Sequence, residues 1–188
     1  MKRVNFNTLP KELLIPKDDG LCNHLIGKEI PNVSLISSSG DYVKLRRQES
    51  FKLIVYCYPM TGRPDEPLPE NWNNIPGARG CTLQNCSIRD NYDEFIKLNA
   101  EPLGITTQSI YDIREMSKRL KISHDILSDN DLIFTKSLKL PTFSINEKIF
   151  LKRVTMIVED YKIIKVYYPV FPPDKNTIQV LKWLKKNI

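Results

Sequence analysis

The chain has 188 residues, with 28 Lys and Arg against 22 Asp and Glu, a formal charge of +6 and four cysteines, which is enough to bury one core with extensions and too little for two full domains. No apolar run reaches membrane-spanning length and the first ten residues contain no signal-peptide core, so a cytoplasmic protein without membrane contact is expected, in a compartment where disulfides are transient and catalytic rather than permanent staples. The lysines are scattered apart from Lys182, Lys185 and Lys186 near the C-terminus, where cations suit the end of a helix, and no basic stretch is interleaved with stacking aromatics, which argues against nucleic acid as a partner.

In chain order, residues 1–25 are polar and broken by Pro10, Pro16 and Gly20, and read as an N-terminal extension lying over a domain that fills 26–188. Val33–Ile36 and Tyr42–Leu45 flank Ser-Ser-Ser-Gly-Asp and predict a hairpin. Phe51-Lys-Leu-Ile-Val-Tyr-Cys-Tyr58 is almost continuously apolar and β-prone, as a strand buried on both faces must be. Pro59–Gly80 then holds five prolines, and a loop of this length inside a compact domain is usually functional. Apolar residues at Leu83, Ile88, Tyr92, Phe95 and Ile96 predict a helix from Cys81 to about Leu98, Pro102–Thr107 a strand, and Ile110, Ile113, Met116 and Leu120 one face of a further helix. A short helix is expected over Leu132–Leu138 and a hairpin over Arg153–Val158 and Lys162–Tyr168. A last helix follows, capped by Asp174, with Ile178, Leu181, Leu184 and Ile188 as its stripe. From residue 51 this is β-α-β-α-(short α)-β-β-α, the order of a thioredoxin-like α/β fold, with the hairpin ahead of it and the Pro/Gly-rich insertion before the cysteine helix.

The segment Ile75-Pro-Gly-Ala-Arg-Gly-Cys-Thr-Leu-Gln-Asn-Cys-Ser-Ile-Arg-Asp90 carries the chemistry. Cys81 stands where unpaired N–H groups and the helix dipole favour a thiolate, and Arg79 can add to that effect, so Cys81 is the expected reactive sulfur. Cys86 lies five residues on; on an ideal helix two such Cα atoms are about 8.5–9 Å apart, beyond the ~7 Å limit for a disulfide. Pairing them requires the first turns to unwind. Cys22 and Cys57 are expected to be packed thiols. Two cysteines with His24 and His124 could in principle bind zinc but lack the tight paired spacing of zinc sites, so no metal is expected, and both histidines are expected to be surface or partly buried polar residues. Trp72 and Trp183 read as anchors, and Tyr167–Pro173 as a loop packed under the last helix, with an apolar wall near the active site or a contact surface as the alternatives.

Gly80-Cys-Thr-Leu-Gln-Asn-Cys-Ser-Ile-Arg-Asp-Asn91 resembles the Gly-Cys-Thr-x-x-x-Cys-x-x-Arg-Asp run of the peroxiredoxins of the bacterioferritin-comigratory, or PrxQ-like, group. Gly104-Ile-Thr-Thr107, Leu127-Ser-Asp129 and Lys152-Arg-Val-Thr-Met-Ile-Val158 fall where that family has similar stretches, the last carrying its active-site arginine, here Arg153. The likeness runs from about Leu25 to the C-terminus. It departs at Ala78, where the family has the threonine of its signature; Pro76 lies in the same approach at a different spacing, and Thr61, in Tyr58-Pro-Met-Thr61, is a candidate to fold back and supply the hydroxyl, as is a backbone group.

The resemblance implies a peroxidase that needs no metal or organic cofactor. Cys81 attacks a hydroperoxide and becomes a sulfenic acid, Arg153 polarises the peroxide bond, Cys86 resolves the sulfenic acid within the chain, and thioredoxin or a similar dithiol regenerates the pair. An intramolecular resolving cysteine fits a monomer. The alternative is a redox-responsive switch that uses the Cys81–Cys86 disulfide with little turnover; a general thiol-disulfide oxidoreductase is disfavoured because Cys-x-x-Cys is absent. Arg79 alone would more simply be an exposed loop arginine.

Overall fold

A computed structural model describes residues 6, 8–10, 12–46 and 51–187. The first hairpin forms as β1 (Ser34–Ser37) and β2 (Tyr42–Lys44), with Leu35 opposite Val43. The apolar run becomes β3 (Lys52–Cys57), in which Leu53 to Cys57 are all buried. Because side chains alternate along a strand, Leu53, Val55 and Cys57 enter one core with Leu25, Phe134 and Leu151, while Ile54 and Tyr56 enter the opposite one with Ile88, Phe95, Ile113 and Leu184.

After β3 come α1 (Cys81–Asp90), α2 (Tyr92–Lys97), β4 (Ala100–Thr106), α3 (Ile110–Leu120), β5 (Ile126–Ser128) and α4 (Ile133–Leu138). The hairpins β6 (Thr142–Ile145) with β7 (Lys148–Leu151) and β8 (Val154–Glu159) with β9 (Lys162–Tyr167) follow, then α5 (Lys175–Leu184). Seven strands make one sheet in the order β2-β1-β5-β4-β3-β8-β9. Strands β3, β4 and β5 run parallel, and β8 lies antiparallel beside β3. This is the expected thioredoxin-like α/β arrangement. The N-terminal hairpin is part of it, because β1 pairs with β5, and Cys22 and Leu25, at the end of the extension, are already in the core.

Several elements differ from expectation. The cysteine helix breaks at Asn91, whose side-chain amide turns back to donate to the Ser87 carbonyl at 2.8 Å and competes with helix continuation. Asp174 does not cap α5: its backbone is already helical, its side chain makes no capping bond, and its carbonyl instead accepts from Ser87 Oγ at 2.9 Å, joining α5 to α1. Ile178 faces solvent at 54% exposure and Val180 takes its place in the core with Leu181 and Leu184; Ile188 lies outside the described residues. Strand β5 and the β6–β7 hairpin were not expected. The hairpin is the platform on which the insertion packs: the Trp72 ring centroid lies 5.7 Å from Phe143 and 5.1 Å from Phe150, with Met60, Leu68, Ile75 and Ala78 around it. Trp183 is half-buried against the α-helical face of the sheet.

Candidate active site

Gly80 sets the start of α1. Its φ is +99°, and a Cβ there would lie 2.3 Å from Pro173 Cγ and 3.0 Å from Leu9 Cδ2, so both conformation and packing demand glycine. Cys81 follows as the first residue of α1, among free helix N–H groups and without an acidic side chain in the first turn. Pro173 shows that the 167–173 loop does more than pack beneath α5. It packs on Gly80, the residue before Cys81.

Arg153 reaches Cys81 through strand register. Val154 pairs with Cys57, which places the residue just before β8 at the C-terminal end of β3, where the chain leaves for the insertion. Arg153 Nη2 donates to Cys81 Sγ at 3.1 Å and to the Gly77 and Arg79 carbonyls at 3.2 Å each. Nη1 donates to Gln84 Oε1. Apart from the sulfur these acceptors are neutral, so the guanidinium charge is available to a thiolate at Sγ. Gln84 is fully buried and was not singled out from the sequence; its position three residues beyond Cys81 on the same helix face was the available signal.

The expected supporting residues divide. Arg79 is buried at 7% exposure rather than exposed in a loop: it donates to Asn73 Oδ1 at 3.0 Å and its guanidinium lies 5.7 Å from the centre of the Phe6 ring. Burial holds its pKa below the ordinary arginine value, and the charge of Cys81 acts in the opposite sense. Thr61 is buried but its hydroxyl donates to Gln108 Oε1 at 3.2 Å, while Gln108 Nε2 returns a bond to the Thr61 carbonyl. At the sulfur it is a backbone group that stands by: Cys81 Sγ lies 3.5 Å from the carbonyl oxygen of Ala78, the residue at the departure from the family pattern. Pro76 lines a cavity of about 320 Å³ with Arg153, Phe143, Tyr168 and Pro169.

Cys86 is half-buried, and its thiol is pushed up by burial, with Arg89 pulling it back down. All four cysteines are free. Cys22 is pushed up to about 12 by burial and Cys57 well above its ordinary range for the same reason, so these are packed thiols rather than nucleophiles.

Beneath α1 runs a buried polar chain that the sequence did not reveal. Asn85 Nδ2 donates to the Cys81 carbonyl at 2.9 Å, Tyr56 Oη donates to Asn85 Oδ1 at 2.9 Å, and Tyr56 Oη lies 2.6 Å from His124 Nε2. The His124 ring stacks on Tyr92. His124 is 5% exposed, buried where a surface or partly buried residue was expected, and burial lowers its pKa to about 4. Its counterpart His24 is exposed, with Nε2 2.8 Å from the Leu138 carbonyl. Asp129 of the Leu-Ser-Asp stretch is structural: its carboxylate accepts from the Phe134 and Thr135 N–H groups at 3.0 and 2.8 Å and starts α4. Among the described residues no group of three or more His, Cys, Asp or Glu is placed to hold a metal, and no helix is long and apolar enough to cross a membrane.

Comparison with known proteins agrees with this geometry. A family model described as Redoxin matches residues 25–181. Chloroplastic peroxiredoxin Q of Oryza sativa subsp. japonica is 27% identical over 160 residues, covering 85% of this chain and 66% of its own length, so the chain spans just under two thirds of that relative. Peroxiredoxin Bcp of Escherichia coli is 25% identical over 169 residues, covering 86% of this chain and 96% of its own. Among solved structures, peroxidoxin BcpB of Mycobacterium tuberculosis superposes with a TM-score of 0.71 at 21% identity, covering 87% of this chain and 98% of that one. Peroxiredoxin Q of Xanthomonas campestris does so at 0.64 and 18%, covering 93% and 96%. These last two likenesses are of fold.

Proposed function

The chain belongs to the Redoxin family, and we propose that it is a thiol-dependent peroxidase in which Cys81 is the peroxidatic cysteine and Cys86 the resolving one. The observation that carries this reading is the 3.1 Å contact from Arg153 Nη2 to Cys81 Sγ at the first residue of α1. A donor that is always protonated, aimed at a sulfur at the positive end of a helix, stabilises the thiolate.

The thiolate attacks the terminal oxygen of a hydroperoxide ROOH. An S–O bond forms as the O–O bond breaks, leaving a Cys81 sulfenic acid and RO⁻, which takes a proton from water and departs as ROH. Arg153 donates to the sulfur and is placed to stabilise charge as it moves onto the leaving oxygen. Its bonds to Gln84 and to the Gly77 and Arg79 carbonyls hold the guanidinium in that orientation before substrate arrives. No metal or organic cofactor enters these steps.

Resolution requires a change of shape. With α1 formed, residues five apart are about 8.5–9 Å from each other at Cα, too far for an S–S bond. Unwinding the first turns removes the Asn85 link to the Cys81 carbonyl and frees Cys86 from the burial that disfavours its thiolate. The same motion therefore closes the distance and activates the second sulfur. The Cys86 thiolate then attacks the Cys81 sulfur and hydroxide leaves, taking up a proton to become water. A thioredoxin-like dithiol returns both sulfurs to thiols by exchange, itself becoming a disulfide. The cycle closes within one chain and is compatible with a monomer.

Peroxide consumption coupled to a thioredoxin system tests this reading. Cys81→Ser is expected to abolish it, and Cys86→Ser to leave one turnover and then stop at the sulfenic acid. Disulfide formation without sustained turnover in the unaltered protein would favour the redox-switch reading instead.

A further inference from the structure

We propose that Phe6 is a size filter over Cys81 that admits hydrogen peroxide and excludes hydroperoxides with bulky organic tails, an inference that rests on the peroxidase reading and names its substrate class. The void touching Cys81 is bounded by Phe6, Leu68, Trp72, Ala78 and Thr82, and measures only about 10 Å³. That is room for roughly one water molecule, and Cys81 itself is 3% exposed. A two-oxygen molecule fits with a small displacement of the wall, whereas a branched or aromatic tail does not.

The wall is built by tight contacts. The Phe6 ring covers the Arg79 guanidinium at 5.7 Å and presses on Gly62 so closely that a Cβ there would lie 2.4 Å from Phe6 Cε1 and Cζ and 3.3 Å from Leu68 Cδ2. Leu9 closes the side over Gly80. Beyond this wall is a recess of about 650 Å³, and Met60, Gly62 and Leu68 line both it and the small void. Space for an organic tail therefore exists beyond Met60, Gly62 and Leu68, and Phe6 packs on Gly62 from the side of the void that touches the cysteine. Phe6 precedes the segment matched by the family model, which begins at residue 25.

Two ratios test the proposal with the full-length protein. One is kcat/KM for hydrogen peroxide over that for cumene hydroperoxide; the other is the rate of Cys81 labelling, located by peptide mass, with N-ethylmaleimide over that with a fluorescein maleimide. The unaltered protein is expected to favour the small reagent by about a hundredfold in both, and Phe6→Ala to shrink each ratio by about tenfold or more. Phe6→Leu, which keeps an apolar contact of smaller breadth, should fall between. If labelling shifts in this way while neither protein consumes peroxide, the filter stands and the peroxidase reading fails. Turnover with both ratios unchanged in Phe6→Ala would overturn the filter and leave the peroxidase reading intact.

Discussion

Cys81 lies between two walls of different kind. On one side Arg153, Gln84 and the carbonyls of Gly77 and Arg79 form a hydrogen-bonded polar wall, placed by the pairing of β8 with β3 and by the first turn of α1. On the other, Phe6, Leu68 and Trp72 form an apolar wall that comes from the N-terminal extension and the insertion and rests on β6–β7. In the polar wall Arg153 is placed by sheet register and Gln84 by α1, while the Gly77 and Arg79 carbonyls come from the end of the insertion; the apolar wall comes from the N-terminal extension and earlier parts of the insertion. The difference separates reactivity from access, and each wall can be broken alone.

The largest effect should come from the polar wall. Arg153→Met removes the donor aimed at the sulfur, and the rate of Cys81 oxidation by hydrogen peroxide is expected to fall about 10²–10³-fold, read by stopped-flow at fixed pH. A loss under threefold would mean that the helix terminus alone activates the thiol. Trp72→Ala on the apolar side should instead cost about 3 kcal/mol of local packing, seen as proteolytic cleavage between residues 59 and 80 before the sheet unfolds. Retained protection there would show that the ring contacts with Phe143 and Phe150 do not hold the insertion.

His124 gives a comparable effect through pH. Its pKa of about 4 in the fold lies below the 6.5 of an unfolded chain, so the unfolded state binds the proton first and stability falls as pH drops. About 3 kcal/mol that is present above pH 6.5 should be lost by the time pH reaches about 4. His124→Phe, which leaves the Tyr56 bond to Asn85 in place, should flatten that part of a urea-unfolding profile, and an unchanged slope would rule His124 out as its source. The smallest shift is expected from Tyr56→Phe. It leaves Asn85 and His124 buried without their shared partner and should destabilise the fold by about 1–2 kcal/mol while hastening the closure of the Cys81–Cys86 disulfide, because α1 loses a link to the sheet.

Of the polar wall, Arg153 was legible through the family resemblance, while Gln84 and the carbonyls of Gly77 and Arg79 were not; the apolar wall was not legible either, for a physical reason. Cys81, Cys86 and Arg153 sit in elements specified by local patterns: a Gly before a helix, a nearly continuous apolar strand, and a hairpin of alternating residues. The burial of Arg79 depends on Phe6, some seventy residues away, and no local pattern reports such a contact. Thr61 is singled out by the likeness of Tyr58-Pro-Met-Thr61 to the family signature, and its hydroxyl goes to Gln108, because the insertion packs on β6–β7 and carries it there. That hairpin was missed since its turn is Asn146-Glu147, both with positive φ, and glutamate is an unusual residue for that conformation. Strand β5 has only three residues, too few to display a period. The Asn85–Tyr56–His124 chain joins a helix, a strand and a loop, so only the folded topology brings the three together.

The most direct test of the central claim is the intact mass of the reduced protein after one equivalent of hydrogen peroxide, with peptide mapping of any new linkage. We expect a loss of about two daltons, mapped to Cys81–Cys86, with Cys22 and Cys57 still free. Thiols that stay reduced, or a bond that maps to Cys22 or Cys57, would contradict the account.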